Sequence, residues 1–167
     1  RAAGVTEIVI FDVSAKRLAL AMQMGATAAF NPMDGDVQDM IASKFGWFDC
    51  TIAGRQTGNA DIVFECAGVP KAFADALESL RLGGTLVMMA VYGKQLTIDP
   101  LDMLVRELTI VNSHAYANEF AQAIALMEQG TDLTPLVTHR FPLDDLTAAF
   151  AAQADTAEAV KVMVEVA

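Results

Sequence analysis

Asp12 is the residue of this chain with the clearest chemistry. It closes a β-branched run, Thr6-Glu7-Ile8-Val9-Ile10-Phe11, and stands just before Ser14, a residue suited to begin a helix. An acid ending the second strand of a dinucleotide-binding fold accepts hydrogen bonds from the adenosine ribose hydroxyls. A 2′-phosphate there would be repelled, so an Asp argues for NAD over NADP. The same strand–Asp–helix order also arises when an acid simply sits well at a helix N-terminus. The glycine-rich phosphate turn belongs about twenty residues before such an acid. The chain begins too late to hold it: Arg1-Ala2-Ala3-Gly4 reads as the last turn of a helix stopped by Gly4.

Two other places suit close approach to a ligand. Cys66-Ala67-Gly68 follows a strand and precedes a helix, and Ala90-Val91-Tyr92-Gly93 ends the next strand in the same way. Ligands of open α/β sheets sit at the C-terminal ends of strands, where small residues let a backbone come near. For Gly93 alone, ordinary turn chemistry is the simpler account. His114 and His139 have no Cys, His or Glu at ligand spacing, so neither reads as a zinc ligand. Asp34/Asp36 and Asp144-Asp145 read as loop and helix-start charges. Met22, Met24, Met88 and Met89 read as core packing, and Cys50 and Cys66 as buried, reduced thiols.

Elements of alternating type must position these residues. Helices are expected from Ser14 to about Met24 with Gly25 as stop, and from about Val37 to Lys44. A short strand lies between them, Thr27 to Phe30. Gly46 to Ala60 reads as irregular. Asp61–Cys66 reads as a strand, and Phe73, Ala76, Leu77 and Leu80 carry the spacing of one helix face, which Gly83-Gly84 should stop. Strands at Thr85–Val91 and Leu108–Asn112 flank a helix at Pro100–Val105. Phe120, Ala123, Ile124 and Met127 repeat the helical spacing up to Gly130. A strand at Leu136–Arg140, a helix at Pro142–Gln153 and a closing strand at Val160–Val166 complete the chain. The alternation predicts an α/β fold, a doubly wound parallel sheet with helices on both faces. A boundary near Thr131 divides residues 1–131 from 132–167.

Composition narrows the class. Hydrophobic residues make up 54% of the 167, beyond an ordinary soluble domain. Strands buried on both faces would explain this, and so would apolar surface made for a partner. A formal net charge of -10 disfavours nucleic acid. No basic run suggests a membrane surface, no stretch is long enough to span one, and no secretory signal is visible. Together with the thiols this points to the cytoplasm.

The order of segments resembles the coenzyme domain of zinc-dependent medium-chain alcohol and polyol dehydrogenases. The resemblance rests on Gly4-Val5-Thr6 through Asp12, Lys16-Arg17-Leu18-Ala19, Gly25-Ala26-Thr27, Ala60 through Gly68, and Leu82-Gly83-Gly84-Thr85-Leu86-Val87. The tail Pro135-Leu136-Val137-Thr138-His139-Arg140-Phe141-Pro142-Leu143 is close to sorbitol, butanediol and threonine dehydrogenases. It implies a Rossmann-like coenzyme domain lacking its first strand, then a short piece of the catalytic domain. Asp12 would hold the adenosine ribose, flanked by Arg17. Cys66, Ala67 and Gly68 would pass near that ribose, and Ala90, Val91 and Tyr92 would approach the nicotinamide. Ser113 and His114 would meet the carboxamide by backbone, Lys161 would lie near the pyrophosphate, and Tyr116 on the substrate side. The Arg that polyol enzymes place beside that Tyr is Ala115 here.

The implied activity is NAD-dependent oxidation of a secondary alcohol, diol or polyol by zinc-assisted hydride transfer. The zinc ligands would lie outside this chain, and the chain alone would be inactive. Gly46–Ala60 is longer than the connection usual in the family. Three alternatives compete: a zinc-free quinone or enone reductase of the same superfamily, a nucleoside-cofactor methyltransferase, and a non-catalytic nucleotide-binding module. The Thr-His-Arg-Phe-Pro tail does not suit a methyltransferase. Relatives associate through coenzyme-domain edges, so Leu108–Asn112 is the candidate edge of a homodimer or homotetramer.

Overall fold

The computed structural model describes residues 1–117 and 119–166. The chain divides into two compact units, one formed by Arg1–Asp34 with Tyr116–Ala167 and the other by Gly35–Ala115. Both are α/β and every ladder that joins distant segments is parallel, as the alternation predicts.

In the first unit, β1 (Val9–Phe11) pairs in parallel with β2 (Ala28–Phe30) through α1 (Ala15–Gln23). β1 is shorter than the β-branched run because its ladder with β2 is only three residues long. Ser14 caps α1, accepting a hydrogen bond from the Arg17 N–H, and Gly25 turns the chain at a φ of 101°. Arg1–Gly4 forms a single turn closed by the Gly4 N–H on the Arg1 carbonyl. α5 (Glu119–Glu128) has the expected helical spacing, yet Phe120, Ile124 and Met127 are exposed. Further along, β8 (Val137–Pro142) and β9 (Lys161–Glu165) form a parallel pair packed against α6 (Leu146–Ala154). Short 3-10 turns, Thr134–Leu136 and Leu143–Asp145, precede β8 and α6.

The second unit opens with α2 (Val37–Phe45), whose N-terminal N–H groups at Gln38 and Asp39 are satisfied by Asp36. Asp36 is thus a helix cap. The stretch from Gly46, read as irregular from sequence, is a β-hairpin of β3 (Trp47–Cys50) and β4 (Arg55–Gly58). Arg55 ties it down, donating to Glu78 and Asp102. β5 (Ala60–Glu65), β6 (Leu80–Met88) and β7 (Thr109–Asn112) form a three-stranded parallel sheet in that order. α3 (Pro70–Ser79) and α4 (Pro100–Val105) are the crossovers.

Gly83-Gly84 does not stop α3. The helix ends at Ser79 and β6 begins at Leu80, running through both glycines to Met88, where the sequence placed a strand from Thr85 to Val91. Gly84 is required there because a Cβ would meet the Leu80 side chain and the Arg81 carbonyl at about 3 Å. Phe73, Ala76, Leu80 and Leu86 form the core, and Arg106 is fully buried beside α3. Its guanidinium donates to Asp102 and to the Leu77 and Leu80 carbonyls. Met22 and Met89, read as core from sequence, are exposed.

Candidate functional site

β1 delivers Asp12 at its C-terminal end, where the Asp12 N–H donates to the Phe30 carbonyl. The carboxylate accepts the Ser14 N–H at 2.8 Å and two parallel bonds from one edge of the Arg17 guanidinium, Nε at 2.8 Å and Nη2 at 2.7 Å. Burial alone would raise the Asp12 pKa, but Arg17 and the Ser14 N–H outweigh it and hold the group below its ordinary value. Arg17 is raised in turn by its hydrogen bond to Asp12. Both sides of the pair are therefore charged at neutral pH.

The segment before β9 docks on the start of α1. Ser14 Oγ donates to the Ala157 carbonyl at 2.6 Å, Arg17 reaches the Thr156 carbonyl, and Lys16 pairs with Glu158 at 3.0 Å. Lys161 opens β9 with its side chain exposed. Tyr116, in the same unit, is exposed and packs edge-on against Phe120 with centroids 4.7 Å apart.

In the second unit the expected turns share one edge of the sheet. Glu65 pairs with Met88 and Met88 with Asn112, so β5, β6 and β7 end level. The Met89 N–H donates to the Glu65 carbonyl and the Ser113 N–H to the Met88 carbonyl, holding the three exits side by side. Cys66–Gly68, Ala90–Tyr92 and Ser113–His114 therefore stand together. Val91 is 84% exposed at this edge. Ser113 and His114 are exposed, and Ala115 follows at a positive φ of 54°.

Tyr92 behaves differently from its neighbours. Its ring packs into the core at right angles to Phe73, and its hydroxyl donates to the buried Glu65 carboxylate. Burial, then Glu65, pushes the Tyr92 pKa well above its ordinary value. Tyr92 thus presents backbone at this edge. Cys66 is exposed, where the sequence suggested a buried thiol; the strand ends at Glu65 and the thiol lies past the ladder. Desolvation and the Glu65 charge raise its pKa, so it is a weak nucleophile.

Sequence reasoning missed Glu65. The available signal was an acid closing the run Ile62-Val63-Phe64, the pattern that Asp12 makes at the end of β1. The structure brings together Asp12 and Arg17 in one unit and the three strand exits in the other.

Among the described residues, no group of three or more His, Cys, Asp or Glu side chains lies close enough to hold a metal ion. His139 stacks on Phe141, with Nδ1 3.0 Å from the Thr138 hydroxyl. No described helix is long and apolar enough to cross a membrane. A hollow of about 470 Å³ lined by Met127, Leu133 and Val137 contains none of the residues singled out above.

Residues 1–129 match the sequence profile of the family described as zinc-binding dehydrogenase. L-threonine 3-dehydrogenase of Burkholderia vietnamiensis (strain G4 / LMG 22486) is 32% identical over 151 residues, 89% of this chain and 41% of the relative. The crystal structure of 2R,3R-butanediol dehydrogenase from Bacillus subtilis superposes with a TM-score of 0.85 at 30% identity, over 99% of this chain and 45% of that one. A protein described as a zinc-binding dehydrogenase from Sinorhizobium meliloti 1021, bound to NADP, superposes with a TM-score of 0.83 at 30% identity, over 97% and 46% of the two chains. This chain thus spans less than half the length of the relatives it matches. The order of its strands and helices agrees with the profile match over residues 1–129, and the chain belongs to the zinc-binding dehydrogenase family.

Proposed function

We propose that this chain is the coenzyme-binding part of an NAD-dependent dehydrogenase that oxidises a secondary alcohol, diol or polyol. Asp12 carries this reading. It is an acid at the C-terminal end of a parallel strand, oriented by Arg17 and Ser14, in a chain of the zinc-binding dehydrogenase family. A bound NAD would supply the hydride acceptor. Asp12 would accept the adenosine ribose hydroxyls. Cys66–Gly68 would line the adenosine side, and Ala90–Tyr92 with Ser113 and His114 the nicotinamide side. Lys161 would neutralise pyrophosphate charge, and Tyr116 would face substrate. Fixing the ring relative to the alcohol is how such residues accelerate hydride transfer. The side chains described here do not fit a zinc site, so no step of this reading passes through the metal. The reading places the protein in the cytoplasm, with the small-molecule alcohol and copies of itself as partners.

The NADP bound to one structural relative makes cofactor choice the decisive measurement. In the full-length protein, kcat/KM with NAD should exceed that with NADP by at least about a hundredfold, and Asp12→Ser should shrink that ratio about tenfold or more, as loss of ribose bonds and of 2′-phosphate repulsion requires. Equal use of both cofactors by the unmodified protein sinks the assignment. Reduction of quinones or enones without alcohol oxidation would favour the zinc-free reductase.

A further inference from the structure

Glu65 is an acid in a place that disfavours one. Its side chain is almost wholly buried, with 3% of its surface exposed. An uncompensated carboxylate there would be costly. Three donors compensate it. The Ala67 N–H reaches Oε1 at 2.9 Å, the Gly68 N–H reaches the same oxygen at 3.1 Å, and the Tyr92 hydroxyl binds Oε2. The first two belong to the turn leaving β5, and the third belongs to the segment leaving β6. One carboxylate therefore joins the two strand exits. A second contact joins them independently. Gly68, at a φ of 71°, lies so close to the next segment that a Cβ would stand 2.7 Å from the Val91 carbonyl oxygen.

We propose that Glu65 is a positioning residue for the dinucleotide, its carboxylate clamping the Cys66–Gly68 turn to the Ala90–Tyr92 segment so that the two stand at a fixed spacing along the cofactor. The inference rests on the reading that these segments line the cofactor. Neither the Glu65 nor the Tyr92 side chain need touch the ligand. The exposed atoms of the site are the backbone and small side chains of residues 66–68 and 90–91, and the clamp beneath them decides where they stand. Loss of the clamp allows the two exits to separate, and cofactor binding must then restore their order at a cost in affinity.

The test is NADH binding to the full-length protein, followed by nicotinamide fluorescence, with thermal melting of each variant as a control. Glu65→Leu removes every acceptor and should weaken NADH roughly tenfold or more, the effect of losing charge-assisted bonds that order a site. Glu65→Gln should stay within about threefold of the unmodified protein, because its amide can accept from both N–H groups and donate to the Tyr92 oxygen. Tyr92→Phe keeps the ring packing and should weaken NADH roughly threefold to tenfold. The double variant Glu65→Leu/Tyr92→Phe should bind no worse than Glu65→Leu, since both act through one clamp. A purely structural role would lower the melting temperature and leave NADH affinity of the folded protein unchanged. That result in Glu65→Leu overturns the proposal, and if Glu65→Leu does not fold, unchanged affinity in Tyr92→Phe overturns it. Failure of the unmodified protein to bind NADH overturns the cofactor reading itself, a result distinct from tight binding that ignores the clamp.

Discussion

Single side chains in this protein are held by more partners than their exposure suggests. Asp12 is the example at the site, and Arg106 the example in the core. Arg106 has no exposed surface, and its guanidinium serves Asp102 at 2.8 Å and the carbonyls of Leu77 and Leu80 at 2.8 and 2.6 Å. Those carbonyls lie where α3 gives way to β6, so the bonds fix the corner that starts the central strand. Asp102 also receives Arg55 from the hairpin, and its pKa is lowered because these two guanidinium groups outweigh the effect of its burial. Replacing Arg106 by Met nearly keeps the volume but takes the guanidinium from Asp102 and from both carbonyls, of which Leu77 keeps the Leu80 N–H as a donor. The expected loss is about 3 kcal/mol in urea unfolding of the full-length protein, the range for breaking one side of a buried polar network. A loss below about 1 kcal/mol would show that water replaces the guanidinium there.

Among the elements, the β3–β4 hairpin is the one with the most specific seat. Its last residue, Gly58, lies so close to the end of α3 that a Cβ would fall 2.4 Å from the Ser79 carbonyl oxygen and 2.6 Å from the Ser79 Cα. Backbone cannot give way as a flexible side chain can. Gly54, in the hairpin loop, has a φ of 67° and open space around it. Gly54→Ala should cost only the left-handed strain, about 1 kcal/mol. Gly58→Ala should cost about 3 kcal/mol or more by overpacking against backbone. Chemical denaturation of the two variants compares them directly, and equal losses would mean that the hairpin is not seated against α3. The Gly46–Ala60 connection thus acts as a brace, pinned through Arg55 to Glu78 and Asp102.

At the scale of the whole molecule, β7 is an edge. It pairs with β6 on one side and with no other strand among the described residues. Ile110 packs against the core, while Thr109, Val111 and Asn112 are exposed, Val111 by 46%. An uncharged, β-branched edge invites strand addition. We propose that a second copy covers it. Val111→Lys should leave the melting curve of the full-length protein within a few degrees and halve its mass in solution, because the side chain is outside the core. Retention of full oligomer mass by a folded Val111→Lys protein would exclude pairing at this edge. Ile110→Lys cannot serve, since it also breaks the core.

What the sequence determined by itself was local and periodic. The helix starts at Ser14 and about Val37, the Gly25 and Gly130 stops, the apolar face of α3 and the strand–Asp12–helix order all follow from propensity, capping and spacing within a few residues. The spacing on α5 gave its helix but not its burial, because a stripe of apolar residues says which face is apolar and not what covers it. Where the outcome depended on partners distant in the chain, only the tertiary structure decided. Gly83-Gly84 fall inside β6 because the strand is paired on either side of them, Leu80 with Ala60 and Thr85 with Ile62 and Thr109, while the Gly83 N–H is satisfied by the distant Arg106 carbonyl. Residues 47–58 form a hairpin whose seat is set by distant residues, with Arg55 held by acids on α3 and α4 and Gly58 against Ser79. Glu65 and Tyr92 stand 27 residues apart, and nothing in either neighbourhood announces that one donates to the other. Their pairing exists because two parallel strands end level, a matter of register that local composition does not encode.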